Sequence, residues 1–309
     1  MSERELSRAP SMLPLFARAG AAMIPGASRL PWISGGGGDV PDEALTLNTE
    51  TDRDRLAAYD RVCGFGLSET LPPTYPHMLA FPLHLALITS GRFPFAAIGL
   101  VHIANRIVSH RPIGAGEPLS LRVWASGLAP HPRGTQFDIC TEARVGSELV
   151  WEEVSTNLRR GARHGDAAPE APTASEASTA PSSSEAPIAP PSSEALPATA
   201  TWRLKGDLGR RYGAVSGDVN PIHVHPLTAR MFGFPSAIAH GMWTKARCLA
   251  ALDASLPRAF TVEVAFKRPI LLPATVSFAE ARERGEIHFG VRDAKRDTPH
   301  LDGILTVPR

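Results

Sequence analysis

The chain has 309 residues, with 32 Lys plus Arg against 31 Asp plus Glu and a net charge of +1. That balance gives no electrostatic footprint for nucleic acid, and the length suits two modest domains plus extensions. Three widely spaced cysteines, Cys63, Cys140 and Cys248, offer neither a disulfide framework nor a Cys/His metal cluster; they fit free thiols packed in a reducing, cytoplasmic setting.

Residues 1–45 open with acids among the first residues (MSERELSRAP), which disfavours a targeting peptide. The following apolar patches are broken by Pro14, Arg18 and Pro25, too interrupted to span a bilayer. Gly35 to Gly38 form a flexible hinge. The region reads as an extended N-terminal arm, packed on the body or partly disordered, with a peripheral membrane contact as the lesser alternative.

Residues 46–164 read as one domain. Asp52 to Val62 is a short helix, and LAFPLHLALITS, entered through Pro72 to Met78, is a second, apolar one. The run from Phe93 to Val108 reads as loop then strand. Three further strands follow, in RPIGAGEPLSLRVWASGLAP, GTQFDICTEARV and ELVWEEVSTNLRR, separated by turns that imply antiparallel connections. His77, His84 and His102 read as structural or surface residues. Residues 165–200 are Pro, Ala, Ser and Glu with only Ile188 and Leu196 as large apolar side chains. Such a segment buries too little surface to offset ordering and reads as a disordered linker.

Residues 201–309 carry the chemistry. A strand and a helix (TWRLKGDLGRRYGAVSGD) lead into Ser216-Gly217-Asp218-Val219-Asn220-Pro221-Ile222-His223. Gly217 permits a sharp turn before the acid, and Asn220-Pro221 stiffens the loop. A carboxylate and an imidazole held five residues apart in a stiff loop suit proton transfer, while a turn residue and a buried histidine remain the bland alternative. A short helix starts at Pro226, with the proline in its first turn, and a longer one near His240. Ile238, Met242, Cys248, Leu249 and Leu252 would give that helix a broad apolar face. The N–H of Gly241 would lie in its first turn, unpaired and at the positive end of the dipole, where it can face a carbonyl oxygen. Close helix-to-strand packing is the other reading of this glycine. FTVEVAFKRPI follows as a strand ending in the basic pair Lys267-Arg268, either phosphate contacts or a solvated strand end. VSFAEARERG, EIHFGVRDAK and DGILTVPR close the chain as strands.

The string from Tyr212 through Ser216-Gly217-Asp218-Val219-Asn220-Pro221-Ile222-His223 to His240-Gly241-Met242 resembles the MaoC-like (R)-specific enoyl-thioester hydratases, or 3-hydroxyacyl-thioester dehydratases. The resemblance implies an α+β hotdog fold, a long central helix wrapped by an antiparallel sheet. It implies that Asp218 and His223 are catalytic, activating water. It further implies that Gly241, with Asn220, Ser216 and His240, forms the oxyanion and substrate-binding site. No metal and no organic cofactor would be needed beyond CoA or the acyl carrier protein that bears the acyl group. Some family members carry a small polar residue near the position of Leu249, which is apolar here.

An internal repeat supports a double hotdog. Arg111-Pro112-Ile113 parallels Arg268-Pro269-Ile270, 157 positions on (268 less 111), and Pro72 to His77-Met78 parallels Pro235 to His240-Gly241-Met242. The first half lacks the Gly-Asp-x-Asn-Pro-x-His string, so one active site per chain is expected, in the second half. In the family, a degenerate half is associated with room for a longer or bulkier acyl chain. Both a homodimer and a pseudo-dimeric monomer fit, and neither a nucleic-acid partner nor a transmembrane segment is called for. Three rivals stay open. A hotdog thioesterase is disfavoured because Gly241 to Leu252 carries no acid. The others are a non-catalytic acyl-binding subunit and a dehydratase that works within a fatty-acid complex.

Overall fold

A computed structural model describes residues 1–21, 38–161 and 196–308. The chain starts with β1 (Ser2–Leu6) and α1 (Met12–Ala21), two elements the sequence reading did not resolve within its arm. The first half then runs β2 (Glu43–Thr49), α2 (Arg53–Cys63), α3 (Tyr75–Ile88), β3 (Leu100–Ser109), β4 (Leu119–His131), β5 (Gly134–Val145) and β6 (Glu148–Arg160). The second half runs β7 (Ala198–Leu204), α4 (Leu208–Ser216), the single turn α5 (Pro221–Val224), α6 (Pro226–Met231) and α7 (Gly241–Leu252). It closes with β8 (Phe260–Phe266), β9 (Ala274–Glu283), β10 (Glu286–Asp293) and β11 (Pro299–Thr306). Most of the glycine hinge and residues 165–195 of the expected linker lie outside the described residues; Ala198 to Ala200, at its end, already belong to β7.

The strands form one sheet whose order is a palindrome: β1, then β2-β4-β5-β6-β3 facing β8-β11-β10-β9-β7. Every neighbouring pair is antiparallel except β1 on β2. Strands β3 and β8 join the halves and put Arg106 opposite Glu263. Those two residues are also 157 apart, the offset of the Arg-Pro-Ile repeat. The approximate two-fold axis of this double hotdog therefore passes between them.

Local chemistry explains the central helices. Asp52 caps α2 by accepting the Arg55 N–H at 3.0 Å, and Gly64 ends it in the left-handed region at φ +86. Helix α3 is apolar nearly all round and packs on β2, β4 and β5, with Pro76 in its first turn. Helix α7 is pinned to α2 by the Trp243 indole N–H, which donates to the Val62 carbonyl at 2.9 Å. Ile238, expected on the α7 apolar face, precedes the helix instead; it is extended and bridges Leu271. All three cysteines are free thiols; Cys63 and Cys248 are buried. Among the described residues no helix is long and apolar enough to cross a membrane.

Candidate active site

Helix α4 ends at Gly217, whose φ of +83 only glycine adopts cheaply, and this reverses the chain into the Asp218 loop. The loop then lies directly on α4. A Cβ at Gly209 would sit 1.9 Å from the His223 carbonyl oxygen, and one at Gly213 would sit 2.8 Å from that of Asp218. Two glycines four residues apart thus form the groove that seats both motif residues.

Inside the loop each polar residue holds the next. The Asp218 N–H donates to Ser216 Oγ at 3.1 Å, the Asn220 N–H to Asp218 Oδ1 at 3.2 Å, and the Ile222 N–H to Asn220 Oδ1 at 3.3 Å. Asn220 is therefore the cap of α5, with Pro221 in the first turn, and that one turn carries His223. Ser216 and Asn220 border the cavity, yet the bonds they make are to the loop itself.

His223 is buried, and its Nδ1 lies 2.8 Å from the Ile238 carbonyl. A carbonyl only accepts, so Nδ1 carries the hydrogen and Nε2 keeps a lone pair. Burial lowers the pKa of His223 below its usual 6.5, against the pull of Asp218 and the Ile238 carbonyl. Its ring stacks on that of His240, with centroids 3.7 Å apart and planes 24° apart. His240 Nε2 in turn donates to the Asp218 carbonyl at 2.9 Å and sits 3.7 Å from Asp218 Oδ2. Burial, aided by the neighbouring His223, brings the His240 pKa down to about 3, so this ring is neutral. Its place is behind the pair: it orders Asp218 and backs His223, with Tyr212 packed 4.8 Å from it.

His240 is also the residue before α7, extended at φ −68 and ψ 138, and Gly241 is the first helical residue. The Gly241 N–H therefore belongs to the first turn, which has no intrahelical acceptor. The Phe266 ring lies against this glycine, 3.0 Å from where a Cβ would be. Close packing and an open N–H are both features of this position.

These groups share one cavity of about 500 Å³ with the first half and the arm. One stripe of α3 lines it, through His77, Phe81, His84, Leu85 and Ile88. Phe16 of α1 reaches it, and Met12 of α1 lies against Gly217. The helical spacing of the α3 stripe was visible in the sequence, but its direction was not, because α3 is apolar on every side. His77 and His84, read as structural or surface, are buried groups on the wall of this cavity, as His102 is a wall residue too. Leu249, where some family members place a polar residue, is fully buried core; the small polar side chain of α7 on the cavity is Thr244, whose Oγ1 donates to the His240 carbonyl at 3.1 Å. Lys267 and Arg268 border the cavity, and Lys267 Nζ is 3.5 Å from Asp302 Oδ2.

Among the described residues two groups have metal-ligand composition, Asp218 with His223 and His240, and His77 with His84 and Glu153; in each, ligand atoms lie within 4.8 Å of one another. One nitrogen of each ring is hydrogen-bonded: His223 Nδ1 and His240 Nε2 to the Ile238 and Asp218 carbonyls, His77 Nδ1 and His84 Nε2 to Glu153 and Thr141. Both are hydrogen-bonded arrangements as they stand.

The pseudo-equivalent cleft of the first half is reduced to about 210 Å³ and is walled by Pro72, Pro73, Arg111 and Trp151. The Trp151 indole fills that wall and donates to the Pro73 carbonyl at 2.7 Å. Arg111 there is held by Glu117 and Glu148.

Comparison with known proteins bears on the family and the fold. Residues 191–303 match the MaoC like domain. The chain is 34% identical over 297 residues to 3-hydroxyacyl-thioester dehydratase X of Mycobacterium tuberculosis, covering 96% of this chain and 98% of that one. A crystal structure of HtdX from Mycobacterium tuberculosis superposes with a TM-score of 0.70 at 34% identity, over 85% of this chain and 100% of the other. A conserved hypothetical protein of the same organism, described as a double hotdog, superposes with a TM-score of 0.54 at 13% identity, over 88% and 98%, and speaks for the fold alone. With the motif, the palindromic sheet and a relative matched almost end to end, the chain belongs to the MaoC-like dehydratase family.

Proposed function

We propose that the chain catalyses the reversible dehydration of (3R)-3-hydroxyacyl thioesters to trans-2-enoyl thioesters, with Asp218 and His223 as the catalytic pair. The observation that carries this reading is the hydrogen bond from His223 Nδ1 to the Ile238 carbonyl. It fixes the tautomer whose Nε2 accepts a proton, next to a partly exposed carboxylate on the same cavity. In the hydration direction, water gives a proton to the pair while its oxygen adds to C3. The thioester oxygen carries the resulting enolate charge, and the pair returns the proton to C2. The pair ends unchanged.

The Gly241 N–H holds the thioester oxygen as that charge forms; losing such a donor typically costs about 2.7–4 kcal/mol of transition-state stabilisation. Lys267 and Arg268 at the border of the cavity suit the phosphates of CoA or of a carrier-protein prosthetic arm. The chemistry uses no organic cofactor beyond that acyl carrier. The free thiols suit a reducing, cytoplasmic setting.

The test is hydration of trans-2-enoyl-CoA by purified Asp218→Asn and His223→Ala. Each should lose turnover by about 10²–10⁴-fold, the usual worth of a positioned acid or base, with circular dichroism unchanged. Near wild-type rates in either variant remove the proposal. A (3R) product from the wild type supports it, and a (3S) product contradicts it.

A further inference from the structure

The two halves differ on one row of inward-facing residues. On β6, Trp151, Glu153 and Ser155 face Ser109, Ile107 and Asn105 of β3. On β11, Leu301, Gly303 and Leu305 face Phe266, Val264 and Val262 of β8. Each β8 residue is the β3 residue advanced by the repeat offset of 157. So Leu-Gly-Leu in the second half corresponds to Trp-Glu-Ser in the first, a carboxylate where the second half has a bare glycine against the Phe289 ring and a hydroxyl where it has a leucine.

Those polar groups form a built cluster. The Glu153 carboxylate is 2% exposed and accepts His77 Nδ1–H at 2.8 and 2.9 Å and Asn105 Nδ2–H at 2.6 Å. The same Asn105 amide donates to Ser155 Oγ at 2.9 Å, and His84 Nε2 is paired with Thr141 Oγ1 at 2.7 Å. Burial raises the pKa of Glu153, but the neighbouring His77 and its hydrogen bond more than reverse this, and the group ends at about 2 and stays ionised. With Nδ1 engaged by the carboxylate, His77 has Nε2 left to meet the cavity that it lines. His77, His84, His102 and Ser155 lie on the wall of the cavity that holds Asp218 and His223. The two groups of residues are near each other: Phe266 touches the Gly241 position on one side and the His102 ring, at 4.9 Å, on the other.

A plain alkyl chain filling this cavity would cover His77 Nε2 with hydrocarbon and give it nothing to bond. A buried polar group left without a partner is penalised, and sites built to hydrogen-bond a substrate oxygen strongly reject the analogue that lacks it. We propose that His77, oriented by Glu153, is a second hydrogen-bonding site that binds an oxygen substituent on the acyl chain beyond C3. The favoured substrates would then be thioesters whose chain carries a hydroxyl or keto group, rather than plain fatty acyl chains. This inference rests on the dehydratase reading for its substrate and adds the class of chain.

The experiment compares enoyl-CoAs of equal length, plain or bearing a hydroxyl or a keto group at successive positions beyond C3. Wild-type enzyme should favour one oxygenated isomer by at least tenfold in kcat/KM. In His77→Leu that ratio should fall at least tenfold, through KM for the oxygenated substrate, while His77→Gln should retain part of it. Equal kcat/KM for plain and oxygenated chains in the wild type, or an undiminished preference in His77→Leu, overturns the proposal. Calorimetric binding of unreactive saturated acyl-CoAs, plain and oxygenated, to the wild-type chain is a second readout. Tighter binding of an oxygenated chain supports the site even if no hydration is seen, and hydration of plain chains without any oxygen preference leaves the dehydratase reading standing and removes this one.

Discussion

Arg106 and Glu263 occupy the same position in the two halves and face each other across the β3–β8 junction, with Arg106 Nε 3.1 Å from Glu263 Oε1. In a symmetric pair of identical units this position would meet its own copy, and a charge there would face its like. Divergence has placed opposite signs on the axis. The side chains are 45% and 23% exposed, so the pair contributes about 0.2–1 kcal/mol. Arg106→Glu should lower stability by about 1 kcal/mol by opposing two carboxylates, and the swap Arg106→Glu with Glu263→Arg should restore most of it. Denaturant midpoints of the three proteins decide this; a swap no more stable than the single variant would show that the pairing contributes nothing.

Lys245 lies a few residues from that axis and is completely buried. Its ammonium donates to the Asn105 and Val262 carbonyls, each at 3.2 Å, and to Asn105 Oδ1. Asn105 and Val262 are themselves repeat equivalents, so one lysine ties the same strand position in both halves. Lys245→Met fills the space but leaves these acceptors without their donor, and should cost about 2–4 kcal/mol in urea melts. A loss under about 0.5 kcal/mol would mean that the carbonyls find other partners.

Gly241→Ala tests how tightly the first turn of α7 is packed. The new Cβ would lie 3.0 to 3.3 Å from three Phe266 ring atoms, so the ring or the helix must yield by a few tenths of an ångström. Stability should change by about 1 kcal/mol or less, while kcat/KM should fall by about 10–100-fold because the carbonyl donor is displaced. Adding Phe266→Leu should recover part of the rate. Unchanged kcat/KM in the single variant would count against the N–H as the oxygen's partner.

Acid should unfold the chain progressively. Burial lowers His84 and His240 from 6.5 to about 3, and Glu153 sits at about 2 instead of 4.5. Below pH 6.5 the unfolded histidines take up protons that the folded ones refuse, so stability falls from there toward pH 3. The Glu153 contribution is lost as pH drops through 4.5 toward 2. Burial also brings Lys245 from 10.5 to about 7, so between those values stability rises with pH. Melting temperatures across pH 3–9 should show both slopes. Unchanged melting between pH 6.5 and 4 would argue that the buried imidazoles are solvated.

The site loop was legible because its chemistry is local. Gly217, Asn220 and Pro221 do in the structure what their backbone preferences dictate, and each bond of the loop spans two residues. The repeat was legible because the 157-residue offset survives in both Arg-Pro-Ile strings and reappears in the register of β3 on β8. What stayed hidden depends on long-range packing. Nothing in the local sequence says that Phe16 reaches the cavity, or that β1 pairs with β2. The polar row on β6 was readable as alternation, but without its partner strand a Glu at position 153 looks like an outward residue. Whether His77 and His84 are buried or on the surface was open in the sequence for the same reason, since α3 has no polar face to orient it; both are buried and hydrogen-bonded.

The palindromic sheet bears on how such a chain can be dissected. Cutting between the halves would strip β3 and β8 of their mutual ladder, leaving each fragment with a bare row of backbone donors and acceptors along a strand of 10 or 7 residues. Exposed edges of that kind invite pairing with any other chain. Isolated halves should therefore self-associate or precipitate, and a working enzyme assembled from two separately expressed pieces would require them to meet while still folding.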